Sequence, residues 1–424
     1  MSIERRKPRI EHVPVGVTSG IDAARVIADL RELQRRTSDE RGAQRLCWTE
    51  TWSDARGFLG ELLDEIGAEP ELDEAGNLWA RLEGDAPGEP AVAVGSHLDS
   101  VPDGGWLDGA LGVMAGVGVL RAHAGAGPSK PIMLVDWADE EGARFGRSLF
   151  GSSAFAGTLD PDSVRDLRDA GDRDLTTVLA EHGVDLDRVA ESGRRRDRLG
   201  AYLELHIEQG PRMEAEGIRV AAVTGCVGIE RVRFTFSGQT SHAGTTPMDV
   251  RRDAGLAAAA AALTIERIPT ADGGVATTGE LRLRPGIPTA VSGEAILSVD
   301  LRNSDAEALA RMLDSARAAC ETAAEERHLA VSEDPVWRIE PIPFDPSLIA
   351  AAREACAETV GEAAELESGA LHDAAEVARV LPAAMLFCPS KAGISHAKEE
   401  DTDEADLAIA IEAFGNLAAA VLER

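Results

Sequence analysis

The spacing of apolar residues changes along the first third of the chain and separates helices from strands. Apolar residues recur at helical intervals from 20 to 66, which predicts a helical segment that ends at Gly67 as its C-cap. Short apolar runs predict strands at 77–82, 91–95 and 132–137, and a glycine-rich apolar segment predicts a helix at 110–122. Strands joined by a crossover helix indicate a largely parallel sheet, and hence an α/β fold.

A second pattern begins near residue 222, where apolar and polar residues alternate. This pattern predicts strands at 229–237, 280–283 and 295–302, and helices at 253–268 and 306–328. Such an order is typical of a small α+β domain of roughly 115 residues. The first pattern resumes near residue 341, with a helix at 348–360, a strand at 383–388 and a last helix at 404–422. We therefore predict one domain built from residues 1–221 and 339–424, with residues 222–338 inserted as a second domain.

Composition excludes several classes of protein. The 424 residues carry 74 acidic against 43 basic side chains, and a net charge of −31 would repel the phosphate backbone of a nucleic acid. No apolar stretch is expected to span a bilayer, and the charged N-terminus lacks a following apolar segment, so no secretory signal is predicted. The five scattered cysteines form no CxxC pair, which indicates reduced, buried thiols. We expect a soluble, cytoplasmic protein that binds neither nucleic acid nor membrane.

Candidate metal ligands follow the predicted strand at 91–95. His97 follows it after one intervening residue, and Asp99 lies two residues further on, where its carboxylate could accept the second ring N–H of the histidine. Asp108 stands at the start of the glycine-rich helix. The alternative is that His97 and Asp99, which are two residues apart, form an ordinary hydrogen bond in a surface loop.

Two adjacent glutamates, Glu140 and Glu141, follow the predicted strand at 132–137. A cluster of carboxylates at the end of a buried strand is unfavourable unless a cation neutralises it. Two neighbouring glutamates also allow one to bind a metal while the other faces a substrate water. The alternative is a solvated acidic turn.

Two further histidines lie in comparable positions. His206 sits in an alternating apolar segment, where a buried core histidine is the ordinary interpretation, and His396 follows the predicted strand at 383–388. Several histidines and carboxylates on loops after predicted strands are less easily explained by chance than any one of them.

These segments carry a resemblance that extends over nearly the whole chain. The chain resembles the amidase/hydantoinase/carbamoylase family of dinuclear metallopeptidase-like hydrolases, which includes allantoate amidohydrolases, N-carbamoyl-L-amino-acid hydrolases and β-ureidopropionases. The most specific strings are GSHLDSVPDGGWLDGALGV at 95–113, EEGARF at 140–145, LHIEQGP at 205–211, HAGTTPM at 242–248, SGALHDA at 368–374 and PSKAGISH at 389–396.

The resemblance implies two divalent metal ions, for which Zn²⁺, Mn²⁺ and Co²⁺ are all suitable. The implied ligands of one ion are His97, Asp108 and His206, and those of the other are Asp108, Glu141 and His396. Histidine rather than an acidic residue at position 206 favours the amidase branch over ordinary peptidases. The implied fold is an α/β catalytic domain with an inserted α+β lid and dimerisation domain.

The resemblance also assigns roles in catalysis and substrate binding. Glu140 is the implied general base and would deliver its proton to the departing nitrogen. Asp99 is a further catalytic candidate, because it could fix the orientation of His97. His242 is the implied oxyanion and substrate contact, reaching the active site of a partner subunit in a homodimer, although a simple turn histidine is the alternative. Arg302 would bind the substrate carboxylate through its planar fork, and Gln209 is a further implied substrate contact.

Two positions depart from the family pattern. Thr289 replaces the usual asparagine, which puts one substrate hydrogen bond in doubt, and Leu371 replaces the usual glycine before His372. The preferred function is hydrolysis of a carbamoyl (ureido) C–N bond in a small carboxylate, such as an N-carbamoyl-L-amino acid, with release of ammonia and carbon dioxide. Allantoate is the alternative substrate. A β-ureidopropionase, an aminoacylase or peptidase, a non-catalytic binding homologue and a purely structural acidic protein are the remaining possibilities.

Overall fold

The computed structural model describes residues 20–125 and 127–424, so the first nineteen residues of the predicted larger domain lie outside it. Its helices are α1 (Ala23–Thr37), α2 (Glu50–Ile66), α3 (Ala110–Ala124), α4 (Phe150–Ala156), α5 (Pro161–Val164), α6 (Leu175–Glu181), α7 (Arg212–Glu216), α8 (Ala254–Ile265), α9 (Pro269–Asp272), α10 (Ala306–Glu325), α11 (Pro346–Val360), α12 (Asp373–Val377) and α13 (Glu404–Leu422). Three 3-10 segments are Leu186–Arg198, Met248–Val250 and Lys391–Gly393.

The strands are β1 (Ser38–Asp39), β2 (Gly42–Ala43), β3 (Pro70–Leu72), β4 (Leu78–Leu82), β5 (Ala91–His97), β6 (Ile132–Trp137), β7 (Leu199–Ile207), β8 (Ala221–Cys226), β9 (Gly228–Ser237), β10 (Ser241–His242), β11 (Val275–Arg284), β12 (Ala290–Val291), β13 (Glu294–Asn303), β14 (Ala330–Ile339), β15 (Ile342–Pro343), β16 (Ala364–Ser368) and β17 (Ala383–Cys388). They form one large sheet, one four-stranded sheet and two short pairs.

The large sheet confirms the predicted α/β class. Its order is β15-β8-β17-β7-β5-β6-β4-β3, with β16 also paired to β8. The central strands β17, β7, β5 and β6 pair in parallel, whereas β4 joins β6, and β8 joins β17, in antiparallel fashion. The antiparallel edges were not predicted, because the apolar runs of the strands do not reveal their direction. The carboxyl ends of β5, β6, β7 and β17 therefore meet along one edge of the sheet.

Alternate residues of the central strands face two different helical layers. Val92 and Val94 of β5 pack into a core with helices α1, α2, α3, α11 and α13, whereas Ala93 packs on the other face with Phe155 of α4 and Ala374 of α12. Burial on both faces explains why these strands appear in the sequence as continuous apolar runs.

The last helix, α13, is long and apolar enough to cross a membrane by length and composition, so the expectation that no stretch has this property was wrong. Within the described residues it packs against the large sheet, where Leu407, Phe414 and Leu417 are fully buried. A core helix covered by other elements passes the same test of length and composition.

The predicted helical segment at 20–66 is two helices. α1 ends at Thr37, whose hydroxyl donates to the carbonyl of Leu33, and α2 begins after Thr49, which accepts a hydrogen bond from the amide of Trp52 as its N-cap. The β1–β2 pair and a loop separate them. The prediction failed here because apolar spacing continues on both sides of the break. Gly67, at φ 78°, is the predicted C-cap of α2.

The inserted unit is a four-stranded antiparallel sheet, ordered β11-β13-β9-β14, covered by α8 and α10. It has its own apolar core, which includes Phe234, Phe236 and Leu297. Since β8 pairs with β17 in the large sheet, the change of sheet falls between Cys226 and Gly228, a few residues after the predicted boundary at 221.

Candidate metal centre

His97 is the last residue of β5 and is 2% exposed. Its Nδ1 lies 3.1 Å from the main-chain oxygen of Asp99 and 3.6 Å from the nearer carboxylate oxygen of that residue. The carbonyl is therefore the closer partner, contrary to the expected carboxylate contact. The Asp99 carboxylate instead accepts hydrogen bonds from the amides of Glu140 (3.2 Å) and Glu141 (3.1 Å). Asp99 thus fixes the glutamate loop and, through its main chain, the orientation of His97.

Asp108 lies between two histidines. One of its carboxylate oxygens is 3.2 Å from Nε2 of His206, and the other is 3.2 Å from Nε2 of His396. Two ligand atoms about 2.1 Å from one zinc ion at a tetrahedral angle are about 3.4 Å apart. The two distances of 3.2 Å are close to this value. They therefore fit an Asp108 that would bind one ion together with His206 and a second ion together with His396.

Gly109 brings the main chain close to His97. Its φ is +63°, and a β-carbon there would lie 2.4 Å from the His97 ring. Only glycine satisfies both the backbone angle and this close approach.

The glutamate loop places two carboxylates with different surroundings. Glu140 Oε2 is 3.7 Å from Nε2 of His97, and Glu141 Oε2 is 3.5 Å from Nε2 of His396. The preceding residue, Asp139, has φ +57°, and its carboxylate accepts a hydrogen bond from the indole of Trp48 at 3.0 Å.

His206 is the penultimate residue of β7, and the carbonyl of the last one, Ile207, lies 2.9 Å from its Nδ1. Beneath it, Glu204 is fully buried and accepts hydrogen bonds from the hydroxyls of Ser96 (2.7 Å) and Tyr202 (3.1 Å). These contacts leave Nε2 of His206 directed at Asp108.

Gln209 and His396 close the centre, and both have left-handed backbone angles, at φ +57° and +56°. The side-chain amide of Gln209 donates to Asp108 Oδ2 at 3.1 Å and lies 3.2 Å from the hydroxyl of Ser395. Together with Asp139, three non-glycine residues of this one site adopt a sparsely populated conformation, which is typical of functional sites.

The centre holds more negative charge than its cations balance. Burial, reinforced by neighbouring carboxylates, raises the pKa of Glu140 well above its ordinary range. Burial and the charge of Asp108 raise the pKa of Glu141 to about 8. Burial opposes ionisation of Asp108, but hydrogen bonds from His206 and His396 outweigh it and hold its pKa well below the ordinary value. A divalent cation would relieve this repulsion.

Among the described residues, three groups could hold a metal ion, and within each group the donor atoms lie within 4.8 Å of one another. They are His97, Asp108 and His206; Asp108, Glu141 and His396; and Glu204, His206 and His372. The first two groups share Asp108 and together contain the five predicted ligands. Imidazole nitrogens and carboxylate oxygens suit a divalent transition metal, so the residues present fit such an ion.

A cleft of about 240 Å³ opens above these residues, between the two sheets. Its lining includes Glu140, Gln209 and Arg302 of β13. Leu371, which replaces the glycine usual in the family, also lines it. Arg302 donates to the carbonyl of Gly369 at 2.6 Å, which joins the inserted unit to the rest of the chain.

His242 and Thr289 are not brought to this cleft within one chain. They lie next to each other at the β10–β12 pair, where the amide of Ala243 donates to the Thr289 carbonyl at 2.9 Å, and both side chains are exposed.

Sequence reasoning missed the residues that hold the ligands. Glu400 accepts hydrogen bonds from the amides of Leu107 and Asp108, and the indole of Trp48 donates to Asp139. A carboxylate oxygen of Glu204 lies within 4.8 Å of a ring nitrogen of His206. The one available signal was a buried acidic residue in an apolar strand, at Glu204, which such strands do not tolerate without partners.

Comparisons with known proteins agree with this architecture. The N-carbamoyl-L-amino acid amidohydrolase of Geobacillus stearothermophilus is 37% identical over 88% of this chain and 91% of its own length. The allantoate amidohydrolase of Bacillus subtilis is 33% identical over 90% and 93%. A crystal structure of an amidase of the hydantoinase/carbamoylase family from Burkholderia multivorans is 32% identical, covers 95% of this chain and 98% of its own, and superposes with a TM-score of 0.87. Residues 93–420 match the family model, and the chain belongs to the peptidase family M20/M25/M40, a family of metal-dependent hydrolases.

Proposed function

We propose that this protein is a metal-dependent amidohydrolase that cleaves the carbamoyl (ureido) C–N bond of a small carboxylate, with an N-carbamoyl-L-amino acid as the preferred substrate class. The observation that carries the proposal is the position of Glu140. It lines the cleft beside two donor groups that share Asp108, yet it belongs to neither group. Relatives named as N-carbamoyl-L-amino-acid amidohydrolases match most of the chain, which supports the choice of bond.

Two divalent ions are proposed, one held by His97, Asp108 and His206 and the other by Asp108, Glu141 and His396. Zn²⁺, Mn²⁺ and Co²⁺ all accept this set of nitrogen and oxygen ligands. Such ions supply Lewis acidity, and they make a water molecule acidic enough to lose a proton near neutral pH.

Glu140 is the proposed general base. Its carboxylate accepts a proton from the attacking water and then carries that proton to the departing nitrogen. Asp99 holds the amide of Glu140 at 3.2 Å, so the carboxylate stays over the donor groups. Hydrolysis by this route gives the amino acid, ammonia and carbon dioxide.

Arg302 is the proposed partner of the substrate carboxylate. Asp300 accepts its Nε–H at 2.8 Å and Gly369 accepts one terminal N–H, which fixes the plane of the guanidinium at the cleft. A fixed planar fork matches a carboxylate better than a flexible ammonium does.

A homodimer is also proposed, in which His242 of one subunit completes the site of the other. His242 is exposed and outside the cleft of its own chain, which is compatible with a contact in trans. Mixing the inactive variants Glu140→Gln and His242→Ala tests this, because a mixed dimer contains one site with both residues intact. Regained activity supports the exchange, and a mixture as inactive as its components argues against it.

Allantoate is the second candidate substrate, because relatives named as allantoate amidohydrolases match at similar identity. The deciding experiment measures ammonia release from N-carbamoyl-L-amino acids, allantoate, 3-ureidopropionate and N-acetyl amino acids, with added Mn²⁺, Co²⁺ or Zn²⁺. We expect ureido substrates to be cleaved, chelation to abolish activity, and Glu140→Gln to lower kcat about 10²- to 10⁴-fold with metal still bound. Cleavage of N-acetyl amino acids alone would contradict the proposal.

A further inference from the structure

A second cavity adjoins the cleft. It has a volume of about 490 Å³ and shares three lining residues with the cleft, Ser148, Leu149 and Trp337. Residues of the large domain and of the inserted unit both contribute to its wall. A substrate held at Glu140 could therefore extend a side chain into it.

The wall of this second cavity is positively charged. Arg147, Arg231 and Arg379 line it, and Glu376 is its one acidic lining residue. Arg231 is paired with Asp300, 2.7 Å away, whose carboxylate does not line the cavity. This concentration of positive charge contrasts with a chain whose net charge is −31.

Glu376 is already engaged. Its carboxylate pairs with Arg379 at 3.3 Å and accepts the hydroxyl of Thr158. Its direct ion pair is therefore with Arg379, and it acts on Arg147 only through space, as Asp139 does.

Arg147 has only neutral partners in direct contact. Within residues 20–125 and 127–424, its guanidinium donates to the carbonyl of Ser148 at 2.6 Å and to the hydroxyl of Ser153 at 3.3 Å, and it forms no ion pair. Arg147 is half-buried, and burial lowers the pKa of its guanidinium, which remains charged at neutral pH. No anion is in direct contact with this partly dehydrated cation, so an anionic group that enters the cavity gains a charge-assisted hydrogen bond.

The backbone fixes the position of Arg147 relative to the site. The amide of Leu149, two residues further on, donates to the carbonyl of Glu140 at 2.7 Å. The combined space thus has Arg302 on the cleft wall and, on the wall of the second cavity, Arg147, whose direct partners are all neutral.

We infer that Arg147 and the second cavity form a subsite for a second carboxylate, so that the favoured substrates are ureido dicarboxylates with an acidic side chain, of the N-carbamoyl-L-glutamate or N-carbamoyl-L-aspartate type. This inference rests on the proposed function, since it takes Arg302 as the partner of the α-carboxylate. It separates the substrate from allantoate, which has one carboxylate.

The test compares N-carbamoyl-L-glutamate with N-carbamoyl-L-glutamine, which has nearly the same shape without the charge. In the unmodified enzyme, we expect kcat/KM for the glutamate to be higher by about 10-fold or more, as for a hydrogen bond between charged groups. Arg147→Gln removes this preference, mainly through KM, and leaves kcat/KM for the glutamine nearly unchanged. Arg147→Lys restores part of the preference, because the charge is kept and the planar fork is lost. The aspartate and asparagine pair shows which side-chain length fits.

Equal effects of Arg147→Gln on both substrates, or a preference of the unmodified enzyme for the neutral one, would overturn the inference. Calorimetric binding of the same pair to metal-loaded Glu140→Gln, with and without Arg147→Gln, separates it from the proposed function. Preferential binding of the glutamate that depends on Arg147, without turnover of any ureido compound, would retain the subsite and reject the reaction. Turnover of ureido compounds without preferential binding of the glutamate would retain the proposed reaction and reject the subsite.

Discussion

Glu400 accepts a hydrogen bond from the main-chain amide of Asp108 at 3.0 Å, across 292 positions of sequence. The same carboxylate accepts the amide of Leu107 and, through its other oxygen, the hydroxyl of Ser395, which directly precedes His396. One buried side chain thus holds the loops that carry two of the proposed ligands. Groups that orient metal ligands in this way influence metal affinity strongly.

Replacing Glu400 with alanine is therefore expected to weaken metal binding by about 10- to 100-fold. Calorimetric titration of the metal-free protein with Zn²⁺ or Mn²⁺ measures the change. Glu399→Ala is the matched control, because Glu399 is the exposed neighbour. Equal affinities of the two variants would show that Glu400 does not position the ligands.

Gly109→Ala is expected to displace His97. The added β-carbon would meet the ring at 2.4 Å, and the backbone angle of +63° adds about 1–3 kcal/mol of strain. We expect both metal affinity and the free energy of unfolding to fall. Gly57→Ala provides the comparison, since Gly57 lies inside α2 with no atom within 4 Å of the new β-carbon. That variant should unfold at the same or a higher denaturant concentration, and a loss equal to that of Gly109→Ala would contradict the steric argument.

Trp48→Phe should destabilise the fold more than Trp52→Phe. The two indoles are both 2% exposed and their rings are 4.9 Å apart, so the loss of volume is similar. Only Trp48 donates its N–H, to Asp139, whereas the N–H of Trp52 has no partner among the described residues. Leaving a buried carboxylate without this hydrogen bond costs about 1–3 kcal/mol. Urea unfolding of the two variants measures the difference, which should be absent if the indole of Trp48 only fills space.

Metal removal is expected to lower the thermal stability of the protein. An ion that binds only the folded chain contributes about 2.7 kcal/mol when its free concentration is 100 times its Kd. Melting temperature should therefore rise with added Mn²⁺ or Zn²⁺ and fall with a chelator. The dependence should disappear in Asp108→Asn, whose amide is a poorer ligand for both donor groups. A melting temperature independent of metal in the unmodified protein would argue against an occupied site.

The sequence allowed much of the sheet to be predicted, because its strands are covered on both faces and so are continuously apolar. The strands β6 and β17 and the helix α13 have the bounds that apolar runs predict. The break between α1 and α2 was missed because helical spacing is maintained across it. The placement of β8 was missed for another reason, since membership of a sheet is decided by long-range pairing with β17 rather than by local pattern.

The residues of the candidate site could likewise be predicted from the sequence only in part. Residues at strand ends with metal-binding side chains, such as His97 and Glu141, could be selected from the sequence, and the structure brings the five proposed ligands together. The residues that position these ligands could not be selected from the sequence. Glu400, for example, is an ordinary acidic residue in an acidic segment, and its partner Asp108 is remote in sequence. The contact between Asp99 and His97 was assigned to the wrong atoms, since a spacing of two residues does not distinguish a carboxylate from a carbonyl.

The position of β17 has a consequence for how the protein is made. A ribosome releases residues in order, so β7 and β8 emerge long before Ala383–Cys388, the strand that lies between them in the sheet. The inserted unit is contiguous in sequence, so its own sheet can form while the larger one still lacks this strand. His396 follows β17, so a nascent chain lacks one donor of the second proposed site until this late strand has also been made.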